Sequence, residues 1–136
     1  MTIPLGDAAR KILDGRNPAV LCTINPDGSP QSSVVWVGTE GDDLVVSSEA
    51  GRRKVTNAAA EPRVSLSVFD LDDPQRYVEV RGTATVSEDI GRRTAVTLAE
   101  KYAGPGAGDT YLRLPPEVVR VTIRITPNRL TGNSAA

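Results

Sequence analysis

The sequence predicts a mainly β (α+β) fold, a small barrel of about six antiparallel strands with two to three helices. Short segments rich in valine and isoleucine are separated by turns of Asp, Gly and Pro, as in antiparallel hairpins. One helical segment lies mid-chain and another precedes the last strand. Because the 136 residues match one ordinary domain and contain no linker, we expect residues 1–136 to form a single domain. A barrel leaves no open sheet edge, although the periodicity alone also fits other small α+β folds.

The N-terminal half predicts a helix followed by three strands that are linked as hairpins. Apolar residues at helical spacing predict the helix over residues 5–15. The strands are predicted at 19–24, 30–38 and 43–48. Between them, Asn-Pro-Asp-Gly at 25–28 and Glu-Gly-Asp at 40–42 are typical turn sequences, because proline presets φ and glycine accepts positive φ.

The C-terminal half predicts two further helices and three further strands. The first helix, over 52–60, must end before Pro62, since proline cannot continue a helix. The other predicted elements are strands at 64–69, 77–86 and 118–125, a polar loop at 70–74, a helix at 90–102 and a flexible glycine-rich loop at 104–108. Gly82, inside a predicted strand, indicates a bulge or a close backbone approach. In the last strand, apolar residues alternate with Arg and Thr, which predicts that one face of the strand is exposed to solvent.

Two compositional features narrow the possible chemistry. The chain has no histidine, which excludes Ser-His-Asp catalysis, a histidine general base and histidine-ligated zinc. Its single cysteine, Cys22, excludes an intrachain disulfide and a cysteine-rich zinc site. The apolar sequence around Cys22 predicts a buried structural thiol. Any chemistry is therefore expected to come from a bound cofactor. The aspartates at 70, 72 and 73 lack the spacing of a calcium loop, so we expect no metal site.

Charge and hydropathy indicate neither a nucleic-acid nor a membrane partner. The formal net charge is −1, which gives no overall attraction to nucleic acid or to an anionic membrane. No apolar run is long enough for a transmembrane helix. The N-terminal sequence carries acidic residues and lacks the apolar h-region of a signal peptide. We therefore expect a cytoplasmic protein.

A cluster of three cations lies at the start of the helix predicted over 52–60. Arg52, Arg53 and Lys54 are consecutive there. The free backbone N–H groups and the positive dipole end of a helix N-terminus favour an anion, and a phosphate is the anion that such a combination suits. The triplet alone favours the simpler interpretation of a solvated helix start.

Four segments, taken in order, resemble the pyridoxamine-phosphate-oxidase superfamily of split β-barrels. The first is an Asp-Gly-x-Pro turn followed by Gln-Ser-Ser-Val-Val-Trp at 31–36. The second is Ser-Ser-Glu-Ala-Gly-Arg-Arg-Lys at 47–54, with Pro-Arg-Val seven residues later. The others are Tyr-Val-Glu-Val-Arg-Gly-Thr-Ala at 77–84 and Thr-Pro-Asn-Arg-Leu-Thr-Gly at 126–132. The resemblance implies a split barrel of the FMN-binding type and a homodimer with a phosphate-bearing cofactor at the subunit interface.

Two departures from that superfamily favour its short F-420-dependent branch. The true oxidases end in Arg-Leu-x-Pro, whereas Arg129-Leu130 is followed here by Thr131-Gly132. Their substrate-site histidine is missing as well, so pyridoxal phosphate synthesis is not expected. The run at 47–54 and the arginine-rich basic content resemble the short actinobacterial members that bind the deazaflavin coenzyme F-420. FMN is the alternative cofactor, while haem would usually need an axial histidine.

The resemblance also implies which residues hold the cofactor phosphate. Lys54 and Arg53 correspond to the phosphate contacts, with Arg52 as a near neighbour. Ser47 and Ser48 end the adjoining strand and are expected to add hydroxyl donors. F-420 carries an acidic tail of several carboxylates, for which Arg52 is the first candidate partner, because a guanidinium pairs bidentately with a carboxylate.

Five further residues are candidates for the rest of the cofactor site. Gln31 and Ser33 lie on the second strand, where related proteins approach the cofactor ring. Tyr77 matches a position from which the second subunit reaches the cofactor. Asn57, one turn after Lys54, is a candidate for orienting it. Trp36 is a candidate contact whose alternative role is in the core or at an interface; for Ser33 and Tyr77 the alternative is an ordinary strand residue.

The function that the resemblance implies is hydride transfer between reduced F-420 and an electron-poor organic small molecule, such as an activated alkene, imine or nitro compound. The protein would position the reactants, exclude water from one face of the cofactor ring and stabilise the hydride-accepting atom electrostatically. The sequence identifies no catalytic residue. Two alternatives stay open, an FMN-binding oxidoreductase and a protein that binds a flavin or deazaflavin without turnover, because fold membership does not decide between them.

Overall fold

The computed structural model describes residues 2–136, and these residues form one sheet of seven antiparallel strands. The strands are β1 (Ala19–Ile24), β2 (Pro30–Val35), β3 (Gly38–Glu40), β4 (Asp43–Glu49), β5 (Arg63–Asp70), β6 (Asp73–Glu88) and β7 (Arg120–Thr131). Their order in the sheet is β2-β1-β5-β6-β7-β4-β3. This architecture confirms the predicted α+β split barrel.

Helices pack at the ends and sides of the sheet. They are α1 (Asp7–Asp14), α2 (Arg53–Ala60), α3 (Arg93–Ala103) and the short α4 (Asp109–Leu112), with a 3-10 turn at Ile90–Arg92 before α3. The first three helices confirm the sequence prediction to within a few residues. α4 was not predicted; it follows directly on the glycine-rich loop. None of the helices in residues 2–136 has the length and apolar character that crossing a membrane requires.

The seventh strand arises because the predicted strand at 30–38 is two strands. β2 ends at Val35 and β3 begins at Gly38, and the two strands lie at opposite edges of the sheet. Trp36 and Val37 therefore carry the chain from one edge to the other, which a sheet curled into a barrel brings close together. The hydrophobic pattern of 30–38 is continuous, so the sequence gives no signal for this crossing.

The two longest strands extend beyond their predicted bounds. β6 begins at Asp73, inside the predicted polar loop, and β7 continues through Pro127 to Thr131. The ladder tolerates the proline because the register shifts between Arg81 and Gly82, where Gly82 pairs with Pro127. A Cβ at Gly82 would overlap the Thr126 carbonyl oxygen. The predicted bulge and close backbone approach at Gly82 are both confirmed.

The core lies between the inner face of the curled sheet and the helices α1 and α2. Leu21, Leu44, Leu66 and Ile123 are completely inaccessible to solvent. Cys22 is only half-buried, so the prediction of a buried thiol was wrong. Residues alternate between the two faces of β1, and Leu21 occupies the inner face. Cys22 therefore points toward the outer face.

Candidate functional site

A pocket of about 310 Å³ lies where the ends of β2 and β4 meet the start of α2, with α3, α4 and β7 on its other sides. Five of the ten sequence-predicted site residues line it: Trp36, Ser47, Ser48, Arg52 and Lys54. The structure thus gathers the end of β4 and the basic turn around one cavity. That these residues bind a cofactor stays a prediction.

Three cations line this pocket, and Lys54 is the most enclosed of those on the α2 side. Burial lowers the pKa of the Lys54 ammonium below its usual value, and the positive charges of Arg52 and Arg120 lower it further. No salt bridge within residues 2–136 involves Lys54 or Arg120. Arg52 has only a loose contact with Glu49, at 3.8 Å between Nη2 and Oε2. An anion between these cations would relieve their mutual repulsion.

Arg120, on β7, is a charged pocket residue that the sequence analysis missed, together with Tyr111 of α4. The Arg120 Nη2 donates a hydrogen bond to the Ser47 hydroxyl at 2.8 Å, and its guanidinium lies 4.9 Å from the centre of the Tyr111 ring. Its Nε is buried and has no hydrogen-bond partner among the described residues. A buried, unpartnered nitrogen of a cation is rare in folded proteins and indicates a missing acceptor. The period-two pattern of 118–125 predicted a solvent-exposed face, which is wrong at Thr122 and Arg120: Thr122 is buried and Arg120 is half-buried, because this face meets α3 and the pocket.

The three consecutive cations at the start of α2 do not converge on one point. Arg52 and Lys54 line the pocket with Arg120, whereas Arg53 lines a separate depression together with Gln31 and the turn residue Asp27. Arg52 is the N-cap of α2 and has an extended backbone, so its side chain does not follow the helical rotation of about 100° that separates Arg53 from Lys54. Arg53 and Gln31 therefore lie near each other but outside the pocket.

Asn57 is a buried residue that anchors α2 to the sheet. Only 2% of it is exposed, and its Nδ2 donates to Thr23 Oγ1 at 3.1 Å and to Asn25 Oδ1 at 2.8 Å. These bonds hold α2 on β1 and on the turn after it. Because the amide donors are used in this way, we do not retain Asn57 as a residue that orients Lys54.

Ser33 and Tyr77 are not among the residues that line the pocket, and they lie on different faces of the sheet. Ser33 lies opposite Leu21 and shares the inner face, whereas Tyr77 is on the outer face. Ser33 is half-buried on the edge strand β2. Tyr77 is 47% exposed and lies opposite Phe69, which is 41% exposed. The backbone of Tyr77 is fixed by the chain end, since its N–H donates to Asn133 Oδ1 and its carbonyl accepts from the Ser134 N–H.

Trp36 forms one wall of the pocket and is held by an aromatic stack. Its ring lies 5.2 Å from the ring of Tyr102, centre to centre, and the two planes are nearly parallel. The Tyr102 hydroxyl donates to the Asn17 carbonyl at 2.7 Å, which fixes the Tyr102 ring. Trp36 remains 38% exposed, so its other face is available to a ligand. Trp36 therefore both packs against Tyr102 and lines the pocket.

The fold and the pocket together define a split β-barrel protein whose cavity is lined by three cations and two serine hydroxyls. The chain belongs to the pyridoxamine 5'-phosphate oxidase family, whose model matches residues 5–132. Its fold is therefore that of a family of oxidoreductases that bind flavin-type cofactors.

Solved structures of similar proteins share the fold over nearly the whole chain. An F-420 reductase is 32% identical with a TM-score of 0.78, and the match covers 95% of this chain and 98% of that protein. General Stress Protein 26 from Bacillus anthracis is 26% identical with a TM-score of 0.67, covering 91% and 89%. A conserved hypothetical protein from Mycobacterium tuberculosis is 24% identical with a TM-score of 0.75, covering 95% and 84%. No curated protein is significantly similar to the chain.

Proposed function

We propose that this protein is an F-420-dependent oxidoreductase that transfers a hydride between the reduced cofactor and an electron-poor organic small molecule. The observation that carries the proposal is the convergence of Lys54, Arg52 and Arg120 on one pocket, with Arg120 Nε buried and unpartnered. Similarity to an F-420 reductase over 95% of the chain supports the choice of cofactor.

The donor set fits the phosphate of a flavin-type cofactor. Lys54 and Arg120 supply charged donors that have no carboxylate partner among residues 2–136, and Ser47 and Ser48 supply hydroxyls beside them. Hydrogen bonds from charged donors to a phosphate are among the strongest that proteins make. In the part of the chain that the structure describes, no side chain caps the N-terminus of α2, so its dipole adds to the same positive field.

The residues outside the pocket receive different roles in this proposal. Arg53 and Gln31 lie together on a neighbouring surface, and there we place the acidic tail that F-420 has and FMN lacks. When bound, the deazaflavin supplies the hydride. The chain itself binds the phosphate, and Trp36 offers an aromatic wall that keeps water from one side of the pocket.

A second copy of the chain is expected to complete the site. The pocket, at about 310 Å³, is at the lower end of the range of about 300–1,000 Å³ for small-molecule sites. Val34 lines it and is 75% exposed, and it lies opposite Val20, which is 41% exposed. Phe69 and Tyr77 continue this exposed apolar strip on the outer face of the sheet. A homodimer through that face would cover the strip and place the partner beside the pocket.

The dimer is tested by placing a charge in the strip. Val20→Arg should convert the dimer to a monomer in sedimentation and weaken cofactor binding, because each monomer then has half a site. Ile90→Arg is the matched control: Ile90 is also 75% exposed but lies in the turn before α3, outside the strip. A wild-type protein that is monomeric at micromolar concentration and still binds cofactor tightly would contradict this part of the proposal.

The cofactor is tested by fluorescence titration with F-420 and with FMN at the same ionic strength. F-420 should bind more tightly, and its affinity should fall more steeply with salt, because more charges are paired in a partly exposed groove. If FMN binds at least about tenfold more tightly, a difference of about 1.4 kcal/mol, the FMN alternative replaces F-420. Oxidation of reduced F-420 by a panel of activated alkenes, imines and nitro compounds then separates an enzyme from a protein that only binds the cofactor.

A further inference from the structure

Arg92 has an unusual backbone conformation next to the site. Its φ is 57° and its ψ is 32°, and in residues 2–136 it is the only residue other than glycine with positive φ. A side chain in this left-handed region strains the backbone unless surrounding contacts hold it there. The neighbouring Gly91, with φ 75°, adopts the same region without that strain.

The Arg92 guanidinium supplies those contacts, because it binds four backbone carbonyls of one segment. Nη1 donates to the carbonyls of Tyr111 at 3.0 Å and Leu114 at 2.6 Å, and Nη2 donates to those of Pro115 at 2.6 Å and Val118 at 2.9 Å. The four acceptors lie between the last turn of α4 and the start of β7. We refer to residues 111–118 as the clamped segment.

Apart from the Arg92 hydrogen bonds, the clamped segment has little apolar burial to stabilise it. Leu112 is 56% exposed, and Val119, directly after the segment, is 42% exposed, so apolar burial contributes little there. Before α4, Gly108 is buried and packs against Val96 of α3. Within the described residues, the four charge-assisted hydrogen bonds of Arg92 are the hydrogen bonds that join the clamped segment to the barrel.

The clamped segment in turn touches the pocket. It carries Tyr111, which lines the pocket and lies against the Arg120 guanidinium. The turn that contains Arg92 also holds Arg120 directly, since the Asp89 N–H donates to the Arg120 carbonyl at 2.8 Å. One turn thus fixes both the backbone of Arg120 and the ring that covers its side chain.

We propose that Arg92 is a positioning residue for the anion site: by clamping residues 111–118 it holds the Tyr111 ring against Arg120 and so keeps the Arg120 guanidinium directed at the bound phosphate. The part of this inference that concerns phosphate rests on the proposed function. The part that concerns the position of Arg120 does not, and the two parts are tested by different measurements.

The test uses Arg92→Asn, because asparagine tolerates the left-handed backbone and removes only the guanidinium. The first measurement needs no ligand. The Nε–H NMR signal of Arg120 should be displaced by the ring current of Tyr111 in the wild type and should return toward that of a free arginine in Arg92→Asn. Tyr111→Leu should abolish the displacement directly. An unchanged Arg120 signal in Arg92→Asn would overturn the positioning role.

The second measurement is the dissociation constant of FMN, used as the phosphate-bearing probe, over a range of salt concentrations. Arg92→Asn should weaken FMN binding roughly tenfold and flatten its salt dependence, as is also expected of Arg120→Met. The double variant should be no weaker than Arg120→Met alone, because both changes act through the same guanidinium. Additive losses in the double variant would contradict the proposed route through Arg120.

The matched control is Arg124→Asn, on the same strand as Arg120. Arg124 pairs with Glu40 and with Asp43 and does not line the pocket. This variant should lose stability with FMN affinity and salt dependence unchanged, and an Arg92→Asn variant that behaves in the same way would reduce Arg92 to a structural residue. If the wild type itself does not bind FMN or F-420, the proposed function fails, and the Arg120 signal alone decides the positioning role.

Discussion

Replacing Arg120 by methionine should separate the stability of the protein from its affinity for an anion. In the ligand-free fold, Arg120 contributes a hydrogen bond to Ser47 and a contact with the Tyr111 ring, together about 1.5–2.5 kcal/mol. Against this, a buried donor without a partner, such as its Nε, costs about 1–3 kcal/mol. Its charge also repels Lys54. Methionine keeps most of the apolar volume, so the free energy of unfolding should change by less than about 1 kcal/mol.

Anion affinity should respond far more strongly to the same change. The Arg120 guanidinium donates at least one charge-assisted hydrogen bond to the phosphate in our proposal, and losing such a bond costs about 1.5–3 kcal/mol. The dissociation constant of FMN or F-420 should therefore rise by about 10- to 150-fold. Urea denaturation without ligand measures the first quantity, and fluorescence titration at low salt measures the second.

Arg124→Met provides the opposite pattern on the same strand. Arg124 is paired with two carboxylates outside the pocket, so its loss should lower stability and leave cofactor affinity unchanged. The reasoning is refuted if Arg120→Met destabilises the ligand-free protein by more than about 2 kcal/mol, a loss typical of removing a satisfied buried hydrogen-bonding group. An unchanged dissociation constant would refute it as well.

Three further predictions test single residues. Lys54→Ala should raise the dissociation constant of the cofactor by about 10- to 150-fold with little loss of stability, measured by titration with Asp73→Ala as the unaffected control. Burial lowers the pKa of Lys101 from 10.5 to about 8. The unfolded chain therefore binds more protons than the folded chain between these pH values. The free energy of unfolding should rise by about 1–2 kcal/mol from pH 8 to pH 10.5, relative to that of Lys101→Met. A difference between the two proteins that does not change with pH would contradict this. Gly82→Ala should lower the free energy of unfolding, measured by urea denaturation, by about 1–3 kcal/mol, because its Cβ would overlap the Thr126 carbonyl oxygen. A variant as stable as the wild type would contradict this prediction.

Elements defined by local chemistry were predicted well from the sequence. The bounds of β1 match the predicted strand, and α2 begins one residue after its predicted start and ends on the predicted residue. Proline and glycine set these bounds through φ, which depends on neighbouring residues alone. The split between β2 and β3 and the extension of β7 through Pro127 could not be predicted in this way. Both depend on how the sheet curls and on a register shift opposite Pro127, which are properties of strands distant in sequence.

The site residues also divide into those that the local sequence predicts and those whose position depends on distant strand pairing. Ser47, Ser48, Arg52 and Lys54 lie within eight consecutive residues, and their strand-turn-helix geometry brings them to one pocket. Arg53 lies in the same run but lines a separate depression, because the helix rotates it by about 100° from Lys54 while Arg52, the N-cap, has an extended backbone.

Arg120 could not be found from the sequence because its place depends on the pairing of β7 with β4. In that register Ser48 lies opposite Val121, and Glu49 lies opposite Arg120. A shift of this pairing by one residue would turn Arg120 to the other face of the sheet and leave Lys54 without its second cationic neighbour. The strand pairing therefore determines the charge of the pocket as well as the shape of the barrel. Because Leu44, Val46 and Ile123 are core residues of the same two strands, a change that alters the β4–β7 register should lower anion affinity and stability together.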